Sequence, residues 1–189
     1  MPRGLMITSA RFKNRKFILG YIALMLTFDA HAHLMSAQNG ILNISGTYAY
    51  LAVSVPISSL QFNDQDNDGL LSNQELGDQS SSISSQLSDG VELKNKEQNL
   101  SKEVAMISIN GEEGDHLNSS SQLLAMYKFA LPPDTSCAEM ESFKEIGLFL
   151  TLYGNKKSEE SISITILLCG EKNKIITDQS HPYAGIYRD

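Results

Sequence analysis

The segment SISITILLC, Ser161 to Cys169, alternates Ser or Thr with Ile or Leu almost throughout. Period-two alternation gathers the apolar side chains on one face of an extended strand, the pattern of a half-buried antiparallel strand. The signal recurs along the chain. Ile41–Ser45 and Thr47–Val55 are rich in β-branched and aromatic residues and flank Gly46, so they read as a hairpin that ends at Pro56. Val104–Gly111, Leu123–Leu131 and Ile146–Gly154 read as further strands, NKKSEES as the hairpin loop before Ser161, and KIIT as a short last strand. Roughly seven short strands with turns between them predict a mainly β, sandwich-like fold, α+β in the broader sense. One helical excursion, residues 57–89, is inserted after the first hairpin. Residues 88–102 read as a surface connection or edge strand, and the tail DQSHPYAGIYRD as irregular.

Within the excursion stands DQDNDGLLSNQE, residues 64–75. Acids at alternate positions repel one another unless a cation sits among them. Asp64, Asp66 and Asp68 can aim at one centre if the backbone curls, and Gly69 supplies the positive φ that such a curl needs. Leu70 would add its backbone carbonyl, Ser72 its hydroxyl or a bridging water, and Glu75 two oxygens from the first turn of a following helix. Leu71 is the apolar residue expected to turn inward and anchor the loop on the core. Hard oxygen donors in this number suit Ca²⁺. The segment ISSLQF before the loop has room for one or two helical turns. LGDQSSSISSQLSDG after it reads as a weak helix ending before Gly90, because its serines are poor helix formers.

The N-terminal end has a different character. Arg3, Arg11, Lys13, Arg15 and Lys16 precede the apolar run Phe17–Phe28, and Ala30 and Ala32 then occupy the −3 and −1 positions of a cleavage site. That order predicts a secretory signal peptide over 1–32, leaving a single β-rich domain of 33–189 in the periplasm or outside the cell. A membrane span needs about 20 apolar residues, and this run stops at Asp29. Removing residues 1–32 takes away five bases and one acid, which leaves 10 Lys+Arg against 21 Asp+Glu and a net charge of −11. Such a chain repels nucleic acid, and its natural small partner is a cation. Cys137 and Cys169, an even pair in an exported chain, are expected to form a disulfide.

The twelve-residue loop resembles the EF-hand family at every side-chain position that carries a ligand, the glycine or the inward apolar residue. The likeness implies one Ca²⁺ held by Asp64, Asp66, Asp68, Leu70, Ser72 and Glu75. The incoming segment is too short for the usual helix and no second loop is present, so the ion's expected role is structural or buffering. AHLMS, DQDNDGLLSNQEL, MYKFALP and LFLTLYG together resemble the soluble N-terminal region of bacterial HupE/UreJ-type proteins, a group regarded as metal transporters. The likeness covers only that soluble region, so transport does not come with it.

A second reading is a copper or nickel carrier. Cleavage after Ala32 would expose His33, whose amine and imidazole bind Cu²⁺, and the AHAHL junction is similar to that of CopC-type copper carriers. His116 or His181 would have to supply a further ligand. Catalysis is not expected, since none of the spacings G-x-S-x-G, H-E-x-x-H or the P-loop occurs.

Overall fold

The computed structural model describes residues 38–109 and 119–187. The segment read as a signal peptide, with its cleavage site, lies outside them. β1 (Asn39–Ser45) and β2 (Tyr48–Pro56) form the expected hairpin, with Gly46 at φ +60° in the two-residue turn. β2 pairs antiparallel with β8 (Gln122–Ala130), which pairs with β6 (Lys102–Ile109) across a bulge between Val104 and Met106. On its other side β1 runs parallel to β10 (Ser161–Leu168), and β10 turns back antiparallel into β11 (Glu171–Asp178). The first sheet is therefore ordered β11-β10-β1-β2-β8-β6.

A second sheet, ordered β12-β9-β4-β5, joins Tyr183–Gly185, Ile146–Leu150, Val91–Asn95 and Gln98–Asn99. The stretch read as a surface connection or edge strand holds two strands: β5 is the edge, whereas β4 sits inside the sheet beside β9, with Val91 and Leu93 fully buried. β12 lies in the tail read as irregular and is held by β9 through Tyr183↔Phe149 and Gly185↔Gly147. The KIIT strand is also longer than expected, since β11 spans eight residues.

One core joins the two sheets. Leu42, Leu51, Val53, Tyr127, Phe129, Ile164 and Ile166 face inward from the first sheet, and Val91, Leu93, Leu148 and Leu150 from the second. The alternation read in Ser161–Cys169 is realised there, with Ile162, Ile164, Ile166 and Leu168 fully buried. α1 (Asn73–Asp78) and α2 (Ser80–Asp89) close one side, and α2 buries Ile83 and Leu87. Tyr127 Oη donates to Leu87 O (3.0 Å), and Lys102 Nζ donates to Val91 O (2.7 Å) and to Ser88 O. Burial raises the Tyr127 phenol above its ordinary range and lowers the Lys102 ammonium, and both groups donate to carbonyls at or just beyond the end of α2.

The Cys137–Cys169 disulfide is present, with the two Cα atoms 5.5 Å apart. Cys169 and Gly170 form the two-residue β10–β11 turn, with φ +54° and +85°. Two successive positive φ values define a turn that ordinarily favours Asn-Gly. The cross-link to Cys137 accounts for a cysteine at a position that L-residues enter at a cost. Among the described residues no helix is long and apolar enough to cross a membrane.

Candidate metal site

The incoming segment makes one 3₁₀ turn, Ile57–Ser59, and then continues through Asn63 without forming a helix. Two glutamines hold it there. Gln86 Oε1 accepts from Gln61 N (2.7 Å) while its Nε2 donates to Gln61 O (2.7 Å). Gln79 treats Asn63 in the same way, at 2.6 and 2.9 Å. Each side-chain amide imitates a neighbouring strand, satisfying both backbone groups of one residue. These two residues carry no sequence signal of such a role, because their partners lie 16 and 25 positions earlier.

The loop then curls as its spacing predicts. Asp64 Oδ2 accepts from Gly69 N (2.9 Å), Asp66 Oδ1 from Asp68 N (3.2 Å) and Asp68 Oδ1 from Leu70 N (2.7 Å). Asn67 and Gly69 take φ +59° and +74°, and a Cβ at Gly69 would meet nothing within 4 Å. Glycine is needed there for backbone freedom, not for space. Carboxylate oxygens of Asp64, Asp66 and Asp68 lie within 4.8 Å of one another. Asp64 Oδ1 is buried and has no hydrogen-bond partner.

The electrostatics match that crowding. The backbone N–H of Asp68 draws the Asp66 carboxyl downward. Lost hydration, the charges of Asp68 and Glu75, and contact with Asp64 outweigh it, and Asp66 titrates above the ordinary aspartate range. Like charges forced together resist ionisation unless a cation compensates them.

Leu71 is fully buried, as expected of the anchoring residue. With Ser72 it forms β3, which pairs with β7 (Ser119–Ser120) just before β8, through Leu71↔Ser120 and Ser72↔Ser119. The loop is thereby tied to the strand leading into the large sheet, and β7 was not legible in SSS. Ser72 caps α1: its Oγ accepts from Glu75 N (3.2 Å), while Glu75 Oε2 accepts from Ser72 N (2.9 Å) and Ser72 Oγ (2.8 Å). Glu75 Oε1 accepts from Gln65 N (2.7 Å). Glu75 is only 3% exposed, and the N–H groups of Ser72 and Gln65 with the Ser72 hydroxyl hold its carboxyl below the usual range. The three aspartates are thus brought together, whereas Ser72 and Glu75 are engaged in locking the loop to the helix.

Beside Asp64 and Gly69 opens a cleft of about 300 Å³, lined also by Ser58, Lys156 and Glu159. Glu159 accepts from Ser58 Oγ (2.6 Å) with Lys156 Nζ 3.6 Å away, which joins the β9–β10 loop to the incoming segment. His181, a candidate ligand in the copper reading, is exposed, with Nδ1 3.2 Å from Asp178 Oδ1. His33 and His116 lie outside the described residues.

No protein-family model matches the chain, and no curated protein matches it either.

Proposed function

We propose that this chain is an exported protein that binds one Ca²⁺ in the loop 64–75, and that the ion serves structure or buffering, not catalysis. The observation that carries the reading is the convergence of three aspartate carboxylates within 4.8 Å, one of them with a buried and unpartnered oxygen. Ca²⁺ accepts six to eight oxygens in flexible geometry, and oxygen donors alone fit Ca²⁺ better than a softer metal. Asp64, Asp66 and Asp68 provide the charge, with the Leu70 carbonyl and Ser72 beside them. Glu75 reaches the ion only by giving up hydrogen bonds that now fix the helix start. Export is supported by the basic-then-apolar N-terminal pattern together with the disulfide, which belongs to oxidising compartments.

A ligand that binds only the folded state raises the melting temperature by mass action. For a chain of this size the rise is roughly 5–10 °C at about a hundredfold excess over the dissociation constant. The test is a melting series in Ca²⁺ and in chelator, on the processed protein and on Asp64→Asn/Asp66→Asn. A Ca²⁺-dependent rise that the double variant lacks supports the reading. A melting temperature indifferent to Ca²⁺ overturns it.

A further inference from the structure

Seven large apolar side chains stand exposed among the described residues, and six of them lie on one surface, the outer face of the six-stranded sheet. These are Ile41, Tyr48, Tyr50, Met106, Leu167 and Ile176, each 37–61% exposed. Singly scattered apolar residues need no explanation, but a shared face does. We infer that this face is where a second copy of the chain docks, sheet on sheet, about a two-fold axis parallel to the strands.

The register makes the case. One row crosses all six strands as Lys172, Leu167, Asn43, Tyr50, Lys128 and Glu103. The adjoining row runs Lys174, Thr165, Ile41, Ala52, Met126 and Met106. A two-fold axis along the strands, between β1 and β2, lays β11 of one copy over β6 of the other. Lys172 then faces Glu103 of the partner subunit, and symmetry repeats the pair. Asn43 faces Tyr50 of the partner subunit, an amide against a phenol, and Ile41 faces Ala52 of the partner subunit. Lys172 and Glu103, at opposite margins, are thus complementary as an isologous contact requires, while the same operation sets Leu167 against Lys128 of the partner subunit and Lys174 against Met106 of the partner subunit. Lys128 keeps its ammonium over the Tyr48 ring, 4.3 Å from the centroid, and beside its own Glu103.

Size agrees. Strands about 4.8 Å apart with a rise of about 3.3 Å per residue give this face a flat footprint on the order of 600 Å². The accessible area of a face covered in side chains exceeds its footprint, which brings it near the ~800 Å² per partner of a standard interface. Stacked sheets of a sandwich are aligned to within about 30°, so the paired rows stay close near the axis. A bilayer fits less well, since of these six side chains only Ile176 is more than half exposed.

The inference is independent of calcium and is tested by sedimentation equilibrium on the processed protein, Lys172→Glu, Glu103→Lys, the double charge swap and Ile41→Asp. All three substituted positions are on the outer face, so circular dichroism should match the parent. The expected result is a dimer, weakened roughly tenfold by either single charge reversal, restored by the swap, and lost in Ile41→Asp. A monomer at every concentration, a dimer indifferent to Ile41→Asp, or single reversals that the swap does not rescue would each overturn the proposed docking. Co-sedimentation of a monomer with anionic vesicles would assign the face to lipid instead.

Discussion

Gln86 forms a two-point pair with the backbone of Gln61, accepting from its N–H and donating to its C=O, both at 2.7 Å. Through this pair, helix α2 holds the segment that leads into the loop 64–75. Gln86→Leu leaves both backbone groups of Gln61 to water and frees the incoming segment. The expected cost is roughly 1–2 kcal/mol of stability, as two hydrogen bonds are lost at an exposed site. Urea unfolding measures it, and Ca²⁺ affinity should fall together with stability.

Glu75→Gln separates the two roles of that residue. In calcium-free protein the substitution removes the charge that accepts Ser72 N, Ser72 Oγ and Gln65 N. A loss of about 1–2 kcal/mol is expected from weakening the capping box and its extra bond. Chemical unfolding in chelator tests this, and an unchanged stability would mean that Glu75 matters only as a ligand.

Asp66→Asn acts with the opposite sign. A carboxyl whose folded pKa is raised above its unfolded value favours the folded state more at low pH, and that advantage fades as pH rises through the carboxylate range. Removing the charge therefore stabilises calcium-free protein at neutral pH and abolishes stabilisation by Ca²⁺. Melting curves with and without chelator read both effects.

Asp178 gives the acid limb a second, separate contribution. The His181 N–H is the main group lowering its carboxyl, joined by the His181 ring and the Ser180 N–H. A depressed folded pKa yields stability that is present above the unfolded value and lost as pH falls. Asp178→Asn keeps an acceptor oxygen but cannot titrate. Its stability should therefore fall less than the parent's between about pH 6 and about pH 3.

Reduction tests the cross-link. Cys137 and Cys169 are 32 residues apart, and closing such a loop stabilises a fold by roughly 3–4 kcal/mol in the chain-entropy model. Cys137→Ser/Cys169→Ser should lower the melting temperature by about 6–15 °C, and a thiol reductant should do the same to the parent protein.

What could be read in advance was whatever a local pattern encodes. The hairpin around Gly46, the alternation in β8 and β10, and the geometry of Asp64, Asp66, Asp68 and Gly69 depend on neighbours a few residues away. The interior place of β4 was not legible, because its five residues stand in a polar stretch and gain meaning only beside β9. The strand β12 has the same cause, and the parallel pairing of β1 with β10 joins segments over 110 residues apart, such as Asn39 and Ser163. In the loop, the residue types marked a convergence of carboxylates. The straps from Gln79 and Gln86, the Ser119–Ser120 edge and the burial of Glu75 are tertiary facts with no local signature.

The most direct test is equilibrium dialysis of residues 33–189 against Ca²⁺, with metal counted by mass spectrometry and Asp64→Asn/Asp66→Asn alongside. One Ca²⁺ per chain is expected in the parent and none in the variant. No bound Ca²⁺ in the parent, or equal uptake by both proteins, would contradict that expectation.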